Sequence, residues 1–449
     1  MKKGTRIQGE INNIDEKGRG VLKSNKKDYS VPFTMPGDEI NAEFQKRSKN
    51  NNIAKVIDVA TPSVNRVTAT CPHAGVCGGC LWQQMKYDSQ LECKRLMINR
   101  ALEKNCHDIR IKEVTPSKDE LFYRNRMDYA IGWNGELGLR EYGNWNNYLD
   151  LETCLLFDKE TPEILKIVRR LMKELKLEPW DNKFHRGNIK YLTMRRGEFT
   201  SERMIMLLFH DLSKINSSSK KKIEAALSPF CTTLYLGEQP TNTDTESANK
   251  LELIIGKPYL RERINNIEYD IRPNAFFQTN PRMARVLQNK VTELAEISSK
   301  QNILDLYCGL GFFSLSLAKA GARVTGIELM PESIELAKHN AELNKLSENT
   351  EFTAFPVEKH NWSPENYDTV IIDPSRAGLH PDVVRKLIEK PVANLIYISC
   401  NFYRFAEELT ELKQSYTLTN LEAMDLFPQT PHVELIALLK RTSPVLIYS

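Results

Sequence analysis

The sequence has no hydrophobic run long enough to cross a membrane, and this absence is a first constraint on function. A membrane-spanning helix needs about 20 consecutive apolar residues, and nothing in the 449 residues approaches that length. The first residues, Met-Lys-Lys-Gly-Thr-Arg, also continue without the apolar stretch of a secretory signal. We therefore expect a cytoplasmic protein without a membrane partner.

A disulfide framework is a second feature that the sequence does not support, because the chain has nine cysteines, an odd number. Without an export signal, metal binding or catalysis explains such cysteines better. With 41% hydrophobic and 27% charged residues, the chain is neither disordered nor collagen-like. No internal repeat is visible, and a chain of this length predicts about two to three domains.

A large charge excess is absent too, since the net charge is only +4. The whole surplus lies in the first 60 residues, which hold 12 Lys and Arg against 8 Asp and Glu. This segment has about five short strands between Gly and Pro turns, a pattern typical of a small OB-like β-barrel. A positive barrel on a neutral body indicates a polyanion such as RNA as the partner, although a solvated loop face would show a similar surplus.

Strands and helices alternate after about residue 270, which predicts a parallel, doubly wound α/β sheet with its ligand at the carboxyl ends of the strands. The middle of the chain has mixed α and β patterns. We therefore predict a multidomain protein with three parts: a β-barrel at 1–60, a cysteine-rich loop and a mixed α/β domain at 61–265, and a Rossmann-like α/β catalytic domain at 266–449.

A glycine loop follows the first strand of the C-terminal series. Gly309 and Gly311 let the backbone turn tightly near a ligand. Glu328 ends the next strand, where a carboxylate can accept both ribose hydroxyls. A pyrophosphate fingerprint would have a third glycine where Ser314 stands, so the pattern favours the nucleoside loop of an S-adenosylmethionine-dependent methyltransferase over a dinucleotide site or a turn without a ligand. Asp373, at the end of a later strand, lies across the cofactor pocket in that topology.

Cys400 stands where the following strand ends, on the same edge as the glycine loop. A buried structural cysteine is the usual explanation for a single thiol, but a thiol beside a methyl donor suits one specific chemistry. A thiolate that adds to C6 of a pyrimidine makes C5 nucleophilic, and a base must remove the C5 proton after methyl transfer. His432 and Glu434 are both candidates for that base.

Three cysteines, Cys71, Cys77 and Cys80, form a compact ligand pattern that lacks a fourth member. Histidine is scarce nearby apart from His73. Three close thiolates and one distant thiol can hold either zinc or a [4Fe–4S] cluster. The spacing alone does not choose between these metals, and cysteines without a metal are a third interpretation.

These motifs together resemble the S-adenosylmethionine-dependent RNA 5-methyluridine (uracil-C5) methyltransferases, specifically the iron–sulfur branch typified by 23S ribosomal RNA enzymes. The resemblance covers essentially the whole chain. It rests on the segments 122–127 (FYRNRM), 276–280 (FFQTN), 399–401 (SCN) and 427–434 (FPQTPHVE).

The resemblance implies a role for each candidate residue. Cys400 would be the nucleophile and Glu434 the base that takes the C5 proton. The implied cofactor contacts are Gln278, Tyr307, Glu328 and Asp373, next to Gly309 and Gly311. The implied [4Fe–4S] ligands are Cys71, Cys77 and Cys80, with Cys154 in a Glu-x-Cys context as the fourth, while Cys93, Cys106 and Cys231 are expected to pack.

The first 60 residues resemble a TRAM domain, the barrel that holds RNA in these enzymes, and we expect a monomer that methylates 23S ribosomal RNA. The same chemistry on transfer RNA and a non-catalytic RNA-binding iron–sulfur protein are the alternatives. Retention of both Cys400 and Glu434 argues against the second. The chain departs from the family at Ser375 and Phe402, where proline is usual, and at Phe312, where a small or polar residue is common. These changes affect the rigidity of the pocket more than its chemistry.

Overall fold

The computed structural model of the protein describes residues 2–48, 51–105, 107–298 and 300–442. Cys106, one of the cysteines expected to pack, lies outside these ranges. Across the described residues, no helix combines the length and the apolar character needed to span a membrane.

Five N-terminal strands close into a barrel in the order β1-β2-β3-β5-β4, as predicted. Ile7, Ile11 and Leu22 point into its core together with Val31 and Ile40. Alternate residues of each strand fill the interior because successive side chains of a strand point to opposite sides. The strands are β1 (Arg6–Ile14), β2 (Gly20–Ser24), β3 (Lys27–Val31), β4 (Glu39–Ser48) and β5 (Asn51–Thr61).

The middle of the chain forms a seven-stranded sheet in the order β13-β12-β11-β10-β7-β8-β9. Ile205 and Leu207 pack with Ile164 of α2 on one face, whereas Met204 and Met206 face the β14–β15 hairpin on the other. The elements, in chain order from the end of the barrel, are α1 (Tyr87–Lys104), β6 (Val114–Thr115), β7 (Arg126–Ile131), β8 (Leu137–Glu141), β9 (Asn144–Asp150), α2 (Thr161–Glu174), β10 (Ile189–Arg196), β11 (Arg203–Phe209), α3 (Ser217–Leu227), β12 (Thr233–Glu238), β13 (Lys250–Ile255), β14 (Leu260–Ile264) and β15 (Ile267–Ile271).

The C-terminal part forms an eight-stranded sheet in the order β18-β17-β16-β19-β20-β22-β21-β6. Its remaining elements are α4 (Pro281–Leu294), β16 (Asn302–Leu306), α5 (Phe312–Lys319), β17 (Arg323–Glu328), α6 (Pro331–Leu343), β18 (Thr350–Ala354), β19 (Thr369–Ile372), α7 (Pro381–Glu389), β20 (Asn394–Ser399), α8 (Phe402–Leu412), β21 (Tyr416–Met424) and β22 (Glu434–Arg441). Helices α5, α6 and α7 follow strands β16, β17 and β19, as the sequence pattern predicts, whereas the described residues between β18 and β19 form no α-helix.

Strands β16 to β20 are parallel to one another, whereas β22 runs antiparallel to both β20 and β21. The alternation of strand and helix does not reveal β21 and β22, because no helix separates them. Two elements from the middle of the chain complete this half of the molecule. Strand β6 pairs with β21, and Met97 and Ile98 of α1 share a core with Phe405 and Leu409 of α8.

Candidate active site

The carboxyl ends of the parallel strands meet at one edge of the C-terminal sheet. Tyr307 follows β16 and Glu328 ends β17, while Asp373 follows β19 and Cys400 follows β20. Four residues that the sequence predicts for the site are therefore brought to the same edge by strand order alone.

The glycine loop has a left-handed backbone, with φ of 67° at Tyr307, 54° at Gly309 and 89° at Gly311. Glycine adopts this conformation freely, but a bulky residue such as Tyr307 does so only under strain, which is common at binding sites. The N–H of Gly309 donates to Glu328 Oε2 at 3.4 Å, and that of Met330 donates to Oε1 at 2.9 Å. The Glu328 carboxylate is thus fixed beside the loop, where a ribose could donate to it.

Gln278 lies in the segment between β15 and α4, next to the same loop. Its neighbour Phe277 packs against Phe312, the first residue of α5, with ring centroids 5.6 Å apart. Asn125 ties this segment to the middle domain: its Nδ2 donates to the carbonyl of Gln278 at 3.1 Å, and its N–H donates to that of Thr279 at 2.9 Å. The sequence segments 122–127 and 276–280 are therefore in direct contact.

Two neighbouring carboxyl groups, those of the buried Asp305 and the half-buried Asp373, lie at this edge of the sheet. Burial raises the pKa of both Asp305 and Asp373 to about 7, and Asp305 adds to the shift at Asp373. Ser314 Oγ donates to Asp305 Oδ2 at 2.5 Å. The sequence analysis did not select Asp305. Its position inside an otherwise apolar buried strand is the signal that could have revealed it.

Strand pairing brings Cys400 and Glu434 together. Ser399 of β20 is paired with Leu435 of β22, and the two strands are antiparallel. Cys400, which follows Ser399, therefore lies opposite Glu434, which precedes Leu435. Burial raises the pKa of Cys400 to about 11, and the charges of Glu434 and Asp373 contribute to the increase. A thiol with a raised pKa holds its proton more tightly than a free cysteine does.

Arg376 is a further residue of this site, and the sequence analysis did not assign it a role. Burial, followed by the charge of Asp373, raises the pKa of Glu434 well above its usual value. The Arg376 guanidinium opposes the increase at both Glu434 and Cys400. A cation beside the two groups favours their ionised forms.

His432, the other candidate base, is half-buried near this site. Burial lowers the pKa of its imidazole to about 3, and the cations Arg376, Lys94 and Arg124 add to the decrease. An imidazole with so low a pKa binds a proton weakly, whereas a carboxylate with a raised pKa is a stronger base once ionised. The local electrostatics therefore favour Glu434 over His432.

The four predicted metal ligands, Cys71, Cys77, Cys80 and Cys154, line one cavity of about 210 Å³. Burial raises the pKa of Cys77 to about 11 and of Cys80 to about 12, and the neighbouring thiols add to both shifts. The guanidinium of Arg124, which also lines the cavity, acts in the opposite direction on Cys80. In the part of the chain that the structure describes, no three His, Cys, Asp or Glu side chains form a metal-binding group, so the cluster stays a prediction.

The chain is similar to known RNA methyltransferases over nearly its full length. The family model for tRNA (Uracil-5-)-methyltransferase matches residues 86–362, a general methyltransferase domain matches 297–439, and the TRAM domain of tRNA (uracil(54)-C(5))-methyltransferase matches 7–64. A tRNA (uracil(54)-C(5))-methyltransferase of Pyrococcus abyssi is 35% identical over 431 residues, which cover 96% of this chain and 99% of that protein. A 23S rRNA (uracil(747)-C(5))-methyltransferase of Pyrococcus horikoshii is 33% identical, with 97% and 99% covered.

The fold agrees with these similarities. The crystal structure of the Pyrococcus abyssi tRNA (uracil-54, C5)-methyltransferase in complex with S-adenosyl-L-homocysteine matches with a TM-score of 0.79 and 32% identity. The match covers 96% of this chain and 100% of that one. The chain therefore belongs to the tRNA (uracil-5-)-methyltransferase family, and it is an S-adenosylmethionine-dependent RNA (uracil-C5)-methyltransferase with an N-terminal TRAM domain.

Proposed function

We propose that this enzyme makes 5-methyluridine at a specific position in RNA through a covalent bond between Cys400 and the uracil ring. The observation that carries the proposal is the register of β20 and β22, which places Cys400 opposite Glu434. Both groups lie at the sheet edge that also carries the glycine loop. A nucleophile and a base at this edge can act on one ring held against the methyl donor.

The residues of the chain act in sequence on the uracil ring. The Cys400 thiolate bonds to C6, and the electrons of the C5–C6 double bond move toward C5 and O4. S-adenosylmethionine, when bound at the glycine loop, supplies the methyl group as an electrophile. Glu434 then removes the proton from the methylated C5, the C5–C6 double bond forms again, and the bond from Sγ to C6 breaks to restore the thiolate.

Two substitutions test this mechanism because they block different steps. Cys400→Ala removes the nucleophile, so neither methyl transfer nor an RNA–protein adduct is expected. Glu434→Gln still permits addition and methyl transfer, and should accumulate a methylated adduct that survives denaturing electrophoresis. RNA with fluorine at C5 should trap the wild-type enzyme, since fluorine cannot leave as a cation. Cys231→Ala, at a cysteine outside this site, is the matched control, and an adduct in Cys400→Ala would reassign the nucleophile.

For the RNA target we propose transfer RNA first. The similarity of residues 7–64 to the TRAM domain of tRNA (uracil(54)-C(5))-methyltransferases supports this choice. Ribosomal RNA, the target expected from the sequence, is the second candidate, and the similarity to the Pyrococcus horikoshii 23S rRNA enzyme favours it. Incubation with labelled methyl donor and separate transfer and ribosomal RNA transcripts, followed by nuclease mapping, distinguishes the two.

We also propose that Cys71, Cys77, Cys80 and Cys154 hold a [4Fe–4S] cluster. The lining of one cavity by all four thiols supports this proposal. A nearby guanidinium, that of Arg124, favours the thiolate form that a metal centre requires. Such a cluster would link the 71–80 loop to the segment that precedes α2.

A further inference from the structure

The turn that joins β21 to β22, residues 425–433, carries Glu434 at its end. We call it the base turn. Met424 and Glu434 are directly paired across the two strands, so the base turn leaves and re-enters the sheet beside the base. The base turn therefore anchors Glu434 on its N-terminal side, whereas Cys400 follows β20, a strand that the turn does not include.

A buried ion pair fixes the first residue of the base turn. Lys94 Nζ of α1 lies 2.5 Å from Asp425 Oδ1, and both side chains are 0% exposed. Lys94 Nζ also donates to the carbonyl of Phe427 at 3.2 Å, and the N–H of Phe427 donates to Asp425 Oδ1 at 3.0 Å. Tyr87, about two helical turns earlier, donates from its hydroxyl to the other carboxylate oxygen, Oδ2, at 3.0 Å.

The Lys94–Asp425 ion pair sets the orientation of the base turn, which is a separate contribution from stability. Apolar side chains of similar volume often fill the place of a buried ion pair without loss of stability, because both ions must be removed from water. They would not supply directed bonds to a carboxylate and to a backbone carbonyl in one turn. Lys94 supplies both, which fixes the orientation of the turn as well as its position.

A second contact from α1 holds the middle of the base turn. Gln90 Nε2 donates to Gln429 Oε1 at 3.0 Å, and the N–H of Gln429 donates back to Gln90 Oε1 at 2.8 Å. Gln429 has φ of 70°, a left-handed conformation that persists in a non-glycine residue only when its surroundings hold it. The N–H groups of Leu81 and Trp82 both donate to its carbonyl at 3.1 Å.

These contacts connect the base turn to the other parts of the molecule. Leu81 and Trp82 directly follow Cys80, which lines the cysteine cavity. Trp82 Nε1 donates to the carbonyl of Gly18 in the barrel at 2.7 Å. Gly18 lies so close to Pro431 that an added Cβ would come within 2.4 Å of the proline ring. The barrel, the segment that follows Cys80 and α1 therefore all contact the base turn.

We propose that Lys94 and Asp425 are positioning residues that hold Glu434 where it can reach the C5 proton. The inference rests on the proposed function, in which Glu434 removes that proton. Because the nucleophile lies on β20, loss of the pair should leave addition and methyl transfer largely intact. It should slow the release of the product, the one step that needs Glu434.

Lys94→Met tests the proposal, since it removes the charge and keeps the length of the side chain. With wild-type full-length protein as reference, we expect release of methylated RNA to slow by about 10- to 100-fold, the effect of a base misplaced by about 1 Å. A denaturation-resistant methylated adduct should accumulate, while affinity for S-adenosylhomocysteine is unchanged. Lys190→Met is the matched control, because Lys190 is also a buried lysine (4% exposed) but bonds to Gln239 and Thr241 beside the middle sheet.

Tyr87→Phe is a milder variant in case Lys94→Met does not fold, because it removes only a hydroxyl group. It should slow release in the same direction by about 2- to 10-fold, the effect of one hydrogen bond. Glu434→Gln separates the two hypotheses. Suppose that Glu434→Gln accumulates adduct. The positioning role is then wrong if Lys94→Met and Tyr87→Phe release product at the wild-type rate, or if they slow addition, methyl transfer and release equally. If Glu434→Gln accumulates none, the proposed base is wrong and the inference fails with it.

Discussion

In the mechanism that we propose, Cys400 has to lose its proton before it attacks the ring, and the surroundings of the thiol oppose that loss. Burial and the carboxyl groups of Glu434 and Asp373 raise the pKa of this thiol to about 11. Three charged side chains act on this thiol, and of these Arg376 favours the thiolate. The fraction of Cys400 in the thiolate form therefore depends on these neighbouring charges and on the pH.

Alkylation of Cys400 should report this pKa directly. Below the pKa, the thiolate fraction increases tenfold for each pH unit, so the rate constant for iodoacetamide should rise about tenfold per unit from pH 7 to pH 10. Peptide-resolved mass spectrometry separates Cys400 from the other cysteines. Arg376→Gln should slow the reaction at each pH, because it removes the cation. A rate that is constant from pH 7 to pH 9 would show a thiolate already formed at neutral pH.

Gly311 is a second residue whose local conformation can be tested. At φ of 89°, an alanine side chain would be strained, at a cost of about 1–2 kcal/mol in the free energy of unfolding. Gly311→Ala should lose this stability in urea denaturation and bind S-adenosylhomocysteine more weakly in calorimetry. Gly321, at the other end of α5 with φ of 109°, is the control. Gly321→Ala should lose stability but keep its affinity for S-adenosylhomocysteine. Equal affinities in both variants would mean that the glycine loop is not part of the cofactor site.

At the scale of single elements, the β2–β3 hairpin presents an exposed positive turn on the barrel. Its turn places Asn25 and Lys26 in left-handed conformations, and Lys26 and Lys27 are exposed. A tight turn of this kind projects its side chains away from the barrel core. Such lysines can neutralise phosphates without a change in the fold.

Substitution of both hairpin lysines, Lys26→Gln with Lys27→Gln, should therefore weaken RNA binding mainly at low salt. Each phosphate contact contributes about 0.7–0.9 to the slope of log affinity against log salt, so the slope should fall by about 1.5. Lys221→Gln with Lys222→Gln is the control, since these lysines are equally exposed on α3. An unchanged slope in the hairpin variant would mean that this face of the barrel does not contact RNA.

The elements also show where sequence patterns lose information. Four of the five parallel strands, β16, β17, β19 and β20, fit the alternation with helices, and this local pattern is sufficient to predict them. Strand β6 has only two residues and joins the sheet by pairing with β21, more than 300 positions away. Helix α1 has a polar sequence, but its buried residues include Lys94 and Gln90. Neither the pairing of β6 nor the burial of these α1 residues could be inferred from a local pattern, because both depend on contacts with the distant end of the chain.

At the scale of the whole molecule, the cysteine cavity joins segments that are distant in sequence. Cys80 and Cys154 are 74 positions apart, and ligation by both would restrict the unfolded chain. We expect Cys154→Ser to lose the brown colour of anaerobically purified protein and about 4 kcal/mol of unfolding free energy, the value of a cross-link over such a loop. Cys231→Ser is the control and should keep both. Colourless wild-type protein with stoichiometric zinc would contradict the cluster.

The sequence alone determined the classes of structure and the residue types that carry the chemistry. The five-stranded barrel, the alternating C-terminal half and the motifs around Cys400 and Glu434 are local, since the residues that define each lie within a short stretch of chain. Only the tertiary structure placed the thiol opposite the carboxyl group, because the register of β20 and β22 is set by pairing across the sheet. It also brought Lys94 to Asp425 across 331 positions. Burial likewise made the largest contribution to the raised pKa of Cys400, Asp373 and Glu434, and burial depends on the whole fold.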